Sequence, residues 1–326
     1  MNRLLKLREF QLALAILALV ALVAIRFPSF VSADSLLNVF NDTSILIILA
    51  LGQMTVILTK CIDLSTAATL ALSGMVVAML NNLYPDLPIL LLVIIAMLTG
   101  AIAGAINGLL VWKLDMPPIV VTLGTMTIFR GIIFLISDGK WINAHEMTDG
   151  FKALPRTIIL GLPVLSWLAL VVIAVMAVVL RSLATGRAFY AVGGNPHAAI
   201  YTGIDVGRTR FIAFILSGTL SGLAGYLWIA RYAVAYVDIA LGFELDVVAA
   251  CVIGGVSIAG GIGTVFGAIL GSLFLGVIKN ALPVINVSPF WQLAISGTVI
   301  ILAVAFNARS ERRKGRVILK KAEATA

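Results

Sequence analysis

The stretch Thr185–Gly207, TGRAFYAVGGNPHAAIYTGIDVG, is the longest interior break in a chain that otherwise repeats one theme, an apolar span followed by a short hinge. It reads as a loop holding a small helix. Gly193-Gly194 permits a turn with positive φ. Asn195 is a favourable N-cap, and Pro196 suits the first helical position. Ala198-Ala199-Ile200 offers a small apolar surface expected to be exposed, and Gly203 can end the helix in a left-handed conformation. Arg181, Arg187, Arg208 and Arg210 surround the stretch. An ordinary connecting loop is the plain reading. A capped helix among arginines, between apolar spans, is better suited to docking into another protein.

Working outward, composition sets the class. The 326 residues are 61% hydrophobic and 12% charged, against about 25% charged in soluble domains. This is an all-α polytopic membrane protein, one transmembrane domain over 1–326. The net charge of +8 does not point to nucleic acid, because the basic residues sit at span ends. Cys61 and Cys251 lie in or beside apolar segments and give neither a disulfide framework nor a metal-ligand spacing. The first apolar run follows Arg3, Lys6 and Arg8, and Val31-Ser32-Ala33 loosely resembles a cleavage site. Arg26, Phe27 and Pro28 intrude before that site, so an uncleaved first span is expected.

Charges and prolines mark the spans: Phe10–Ile25, Ser44–Thr59, Leu64–Leu83, Ile89–Trp112, Ile119–Ser137, Leu162–Leu180 and Phe211–Ala230. Residues 247–308 must hold three more, with hinges at Gly260-Gly261 and Pro283, giving about ten. Sixteen of the 23 Lys and Arg then share one side with both termini, and five lie on the other. The positive-inside bias puts both termini, the 181–210 segment and the basic tail 307–326 in the cytoplasm. Gly100, Gly104 and Gly108 recur at fourth positions, as do Gly263, Gly267 and Gly271. Such stripes let helices approach closely in lipid. Asp63 precedes one of the paired spans and Asp246 the other, so spans 2–5 and 7–10 would form two inverted repeats, as transporters often do. Glycine is common in membrane helices in any case, and the stripes carry that alternative too.

The chain has no GxxxxGK[ST] phosphate loop, so ATP hydrolysis is not expected here. His145, Glu146 and Asp149 lie in a polar outer loop and read as solvated rather than as a metal site. Intramembrane polar residues are more telling, because each is costly in lipid. Arg130 either lines a pathway, snorkels outward or pairs structurally, with the last two preferred. Gln53, Asn107, Thr122 and Thr125 can bond between helices or meet a polar solute, with bonding between helices preferred for each. Phe129, Trp228 and Trp291 can stack on a sugar ring or anchor at the interface, with the anchor role preferred at span ends.

Motifs in order then carry a resemblance. They are Ile62-Asp63-Leu64-Ser65, Asn107-Gly108, Pro117-Pro118-Ile119, Thr122-Leu123-Gly124-Thr125 and Arg130-Gly131, followed by Thr185-Gly186-Arg187, Gly193-Gly194-Asn195-Pro196, Ala198-Ala199, Gly203-Ile204, Glu244-Leu245-Asp246 and Gly260–Val265. Across nearly the whole chain this resembles the permease subunit of bacterial ATP-binding-cassette monosaccharide importers, the ribose, rhamnose and autoinducer-2 group. Thr66-Ala67-Ala68 departs from the family's usual VGS. The resemblance implies a pathway between two permease subunits, identical or homologous, in the inner membrane. It implies a cytoplasmic ATPase that uses the ATP, a periplasmic sugar-binding protein, surrounding lipid, and no cofactor on this chain. It assigns ATPase coupling to Gly186, Arg187, Gly193, Gly194, Asn195, Pro196, Ala198, Ala199 and Gly203. The pathway falls to Asp63, Asn107, Thr122, Thr125, Phe129 and Asp246. A rhamnose-like or ribose-like sugar is expected, with autoinducer-2 as alternative. A proton- or sodium-coupled transporter is the rival class, disfavoured because Asp63, Glu244 and Asp246 fall at span ends.

Overall fold

A computed structural model describes residues 8–284 together with 287, 288, 291, 294, 297, 298 and 301. The helices are α1 Arg8–Arg26, α2 Ala33–Leu58, α3 Thr66–Leu83, α4 Ile89–Lys113, α5 Pro118–Ser137, α6 Asp149–Ala153, α7 Val164–Ser182, α8 Ala184–Gly194, α9 Pro196–Tyr201, α10 Val206–Tyr232, α11 Phe243–Ile253 and α12 Val265–Val284. Among the described residues, eight of these are long and apolar enough to cross a membrane: α1 to α5, α7, α10 and α12. A two-residue hairpin, β1 Ile158–Ile159 with β2 Leu162–Pro163, precedes α7. Most of the expected tenth span lies outside the described residues.

The helices sort by composition. The most apolar ones, α4 and α7, turn much of their surface outward, whereas α2, α3 and α10 carry more small and polar residues and are mostly buried. This is the logic of helices in lipid: tails solvate Leu and Ile as well as a protein core does, so small and hydrogen-bonding residues drive packing. On α4 the two faces separate cleanly. Ile94, Leu98, Ile102, Ile106 and Leu109 are exposed, while Ala96, Gly100, Gly104 and Gly108 are buried. The buried stripe lies along α10. A Cβ on Gly100 would stand 2.1 Å from the Gly218 carbonyl oxygen, and one on Gly104 2.2 Å from that of Phe214. Only glycine allows this approach.

The antiparallel pair α2 and α10 forms the centre. Thr55 Oγ1 donates to the Ala213 carbonyl at 3.4 Å, and near the other end Arg231 Nη1 donates to the Asn41 carbonyl at 2.8 Å. Around this pair the contacts are reciprocal: α4 and α3 pack on α10, while α12 and α11 pack on α2. That is the exchange expected of two inverted halves. The glycine stripes are not equivalent, however. Gly267 and Gly271 of α12 press on Gly254 and Ala250 at α11, not on α2, and Gly263 lies before the helix.

The eighth pass corrects the expectation of a full span. α11 has 11 residues, about 16 Å at 1.5 Å per residue, roughly half of a hydrocarbon core of about 30 Å. Residues 254–264 complete the traverse as irregular backbone. Non-helical chain is tolerated at such depth only when protein satisfies it, and here it does. Val256 N donates to Cys251 O at 2.9 Å, Ser257 N to Ile262 O at 2.9 Å and Gly261 N to Leu58 O at 3.0 Å. Gly255, Gly260 and Gly261 supply the left-handed turns, with φ of 88°, 83° and 72°.

Arg130 is settled by its contacts. Its Nη1 donates to the carbonyls of Val237, at 2.5 Å, and Ile239, at 2.8 Å. It staples the α10–α11 connection to α5, which is structural pairing. In the loop before α6, Glu146 accepts from the Asn143 backbone N–H at 2.8 Å, and this bond holds its carboxyl below the usual range.

Gly104→Val should therefore block assembly. Overpacking typically costs about 1–3 kcal/mol, and backbone cannot move aside as a side chain does. The expected outcome is a large loss of monodisperse protein by size exclusion in detergent. Gly124→Ala, at a glycine with open space around it, should elute like the wild type.

Candidate functional site

The segment that opened the sequence reading folds as two helices rather than one helix in a loop. In α9, Asn195 caps as expected: its Oδ1 accepts from Ala198 N at 3.1 Å, and Pro196 holds the first helical position. Gly203 follows with φ 81°. Two expectations need correction. Gly193-Gly194 is not a positive-φ turn but the last two residues of α8. Ala199 is not exposed; it is 3% exposed and packs inward. The outward face of α9 is His197, Ala198, Ile200 and Tyr201, with Tyr201 92% exposed. Tyr201 was missed, although four-residue spacing from His197 places both on one side of a helix.

Glycine at 186 and 193 serves close approach. A Cβ on Gly186 would lie 2.2 Å from the Val179 carbonyl oxygen, so Gly186 fixes the sharp α7–α8 corner. A Cβ on Gly193 would lie 1.7 Å from the Leu58 carbonyl oxygen and 2.3 Å from Gly261 N. The end of α8 thus rests directly on the backbone junction where α2 ends and the 254–264 segment turns. Tyr190 Oη adds a hydrogen bond to the Gly263 carbonyl at 2.9 Å. On the far side of α9, Asp205 caps α10 by accepting from Arg208 N at 2.8 Å, and Gly207 sits against the Trp112 ring at the end of α4. Arg187 Nη1 donates to the Ser182 carbonyl at 2.9 Å; it braces the same corner.

The second break in the bundle, residues 59–65, collects most of the residues expected along a pathway. Asp63 Oδ1 accepts from Ser65 N at 2.9 Å and Ser65 Oγ at 2.6 Å. Asn107 Nδ2 donates to Ser65 Oγ at 2.7 Å, and Asn107 Oδ1 accepts from Thr125 Oγ1 at 2.7 Å. Thr122 Oγ1 donates to the Pro118 carbonyl at 3.0 Å and reaches that of Ile62 at 3.3 Å. The Gln53 amide, in the orientation that satisfies both of its ends, pairs with the Asp63 backbone N–H and C=O at 3.1 Å each. Asp63, Asn107, Thr122, Thr125 and Phe129 are all at most 4% exposed. All but Phe129 are joined by these bonds into one interior network that ties the 59–65 break to α4 and α5. Asp63 is therefore not at a wetted span end. Asp246 lies apart, in the first turn of α11, paired with Lys279 Nζ at 2.5 Å.

A bundle of membrane-crossing helices around two broken segments, with a braced helical arm at one end, has the build of a transport permease. The comparisons with known proteins agree. Residues 35–304 match the family described as "Branched-chain amino acid transport system / permease component", and the chain belongs to that family. It is 36% identical over 293 residues to the ribose import permease protein RbsC of Haemophilus influenzae, covering 89% of this chain and 90% of that one. It is 39% identical over 310 residues to the autoinducer 2 import system permease protein LsrC of an Enterobacter species, covering 95% and 89%. No solved structure matches the chain.

Replacing Asn107 with Leu should leave the Ser65 and Thr125 hydroxyls short of partners in a buried site, at a cost of roughly 1–3 kcal/mol. The expected result is a lowered unfolding temperature in detergent. Thr127→Val, on the exposed face of α5, should melt with the wild type.

Proposed function

We propose that this chain is the pathway-forming subunit of an ATP-binding-cassette importer for a monosaccharide of ribose type, and that α9 is the element through which a separate ATPase drives it. The observation that carries the reading is mechanical. α9 presents Ala198, Ile200 and Tyr201 outward, while its partner helix α8 rests by bare backbone on the junction of both broken segments. A push on α9 therefore arrives at the ends of α2 and of the 254–264 turn without passing through a flexible side chain.

The chain carries no GxxxxGK[ST] phosphate loop, and in this reading a separate ATPase subunit supplies the energy. The relatives are named for import of ribose and of autoinducer 2, and their similarity over about nine tenths of each chain supports a small sugar-like cargo. The charge bias supports placing α8, α9, both termini and the 307–326 tail in the cytoplasm of a bacterial inner membrane. A second permease copy or homologue completes the pathway, and a periplasmic binding protein delivers the cargo to the opposite end. Within this arrangement Gly186, Gly193, Gly194, Asn195, Pro196 and Gly203 shape the docking arm, and Ala198 belongs to its contact face. Ala199 and Arg187 hold the arm together. The Asp63–Ser65–Asn107–Thr125 network, with Thr122 and Phe129 beside it, fixes the geometry of the 59–65 break.

Burial decides which substitutions test this. Ala199→Glu would disrupt the arm itself, so Ala198→Glu and Tyr201→Glu are the informative variants. Each should cut co-purified ATPase at least about tenfold and abolish sugar uptake, with normal membrane insertion. Recovery of the ATPase in wild-type amounts would contradict the assignment. Uptake driven by a proton gradient in ATP-free vesicles would favour the ion-coupled rival instead.

A further inference from the structure

At the end of the bundle away from α8 and α9, a cleft of about 540 Å³ opens between α2, α10, α11 and α12. Its place follows from the sequence: Asp42 lies in the N-terminal half of α2 and Arg231 in the last turn of α10, whereas α8 rests against Leu58 at the other end of α2. The volume falls within the usual range for small-molecule sites. We propose that this cleft is where the chain receives a neutral polyol, with Trp228 and Tyr232 as the residues that stack on it. The proposal rests on the permease reading above and adds to it the site and the charge class of the cargo.

The lining has the chemistry a sugar needs. A pyranose or furanose has an apolar C–H face and an edge of hydroxyls, so it is held by aromatic rings together with hydrogen-bonding groups. Trp228 stands 5.3 Å from the Tyr232 ring and 5.0 Å, edge on, from that of Phe243. Tyr232 is 52% exposed, in a cluster that turns part of its area outward instead of filling the core. Asn280 also lines the cleft, as do Asp42, Arg231 and Lys279.

The charges select against anions. Arg231 is ion-paired to Asp42, and Lys279 Nζ sits 2.5 Å from Asp246 Oδ2 while facing the Phe243 ring at 5.1 Å. Each cation on the wall is thus neutralised by a carboxylate from a neighbouring helix. A sugar phosphate would have to draw a cation from one of these pairs, in competition with the carboxylate that already holds it. A neutral polyol can hydrogen-bond to the outer lone pairs and N–H groups of both pairs without separating them. Asp246, expected from the sequence to belong to a pathway, acts here by holding Lys279.

The test is uptake of labelled ribose, xylose, rhamnose and galactose by vesicles carrying the complete importer, with ATP hydrolysis measured in parallel. Trp228→Leu and Tyr232→Leu should each lower uptake of the transported sugar at least tenfold, with the assembled complex recovered in wild-type amounts. Trp228→Tyr, which keeps an aromatic face, should retain at least half. Ribose 5-phosphate should not be taken up by the wild type. The Tyr232 variant, at a half-exposed position, keeps the test decisive should Trp228→Leu fail to insert. Uptake within twofold of wild type in the leucine variants, equal losses in Trp228→Tyr and Trp228→Leu, or entry of ribose 5-phosphate would overturn the cleft assignment while leaving the permease reading in place. A wild-type importer that moves none of the four sugars would overturn the sugar-import reading, and the cleft assignment with it.

Discussion

The structure depends on one backbone junction. The Leu58 carbonyl, at the end of α2, accepts from Gly261 N at 3.0 Å, and Gly193 closes over both with no side chain between. A hydrogen bond in a low-dielectric interior is worth more than at a wetted surface, and three backbones in direct contact leave little slack. Here the central helix, the irregular segment after α11 and the arm bearing α9 are joined. A bundle of apolar helices would otherwise have no rigid link between an exposed arm helix and its own centre.

The two broken segments are the cost and the use of this design. Residues 59–65 and 254–264 abandon helical hydrogen bonding inside a bundle, and each needs an external source of donors and acceptors. For the first, the N–H groups of residues 59–61 bond back to α2, and side chains supply the rest: Gln53 on the Asp63 backbone, Asp63 on Ser65 N and Thr122 on the Ile62 carbonyl. For the second, it is mainly backbone, turned by three positive-φ glycines. In the proposed transporter these breaks are the places where alternating access would act. The α4–α10 contact, with glycine on both faces, is instead a rigid seam against which the broken elements can shift.

Much of this was legible in the sequence. The cap at Asn195, the glycine stripe on α4 and the class of protein follow from residue types and spacing alone. Other matters were not. Gly193-Gly194 has the composition of a turn, and only the proximity of Leu58 and Gly261 shows that the glycine at 193 is needed for contact rather than for φ. Residues 243–264 have the apolar content of a full span, and hydropathy cannot distinguish helix from buried irregular chain. Burial of Ala199 but not Ala198 was likewise decided by which side of a six-residue helix meets α8 and α10. The polar residues at 63, 107, 122 and 125 were recognised as special. Bonding between helices was the preferred role for 107, 122 and 125; that these residues meet around Asp63 and Ser65 at the 59–65 break needed the three-dimensional arrangement.

The central claim is that α9 touches the ATPase and that its motion enters the bundle at the junction. The most direct measurement is in-cell photocrosslinking with a benzophenone amino acid at position 201. The account predicts one dominant adduct with the ATP-binding subunit, and none from the same probe at position 141, at the opposite end of the bundle. Absence of that adduct from position 201, or its appearance from position 141, would contradict it.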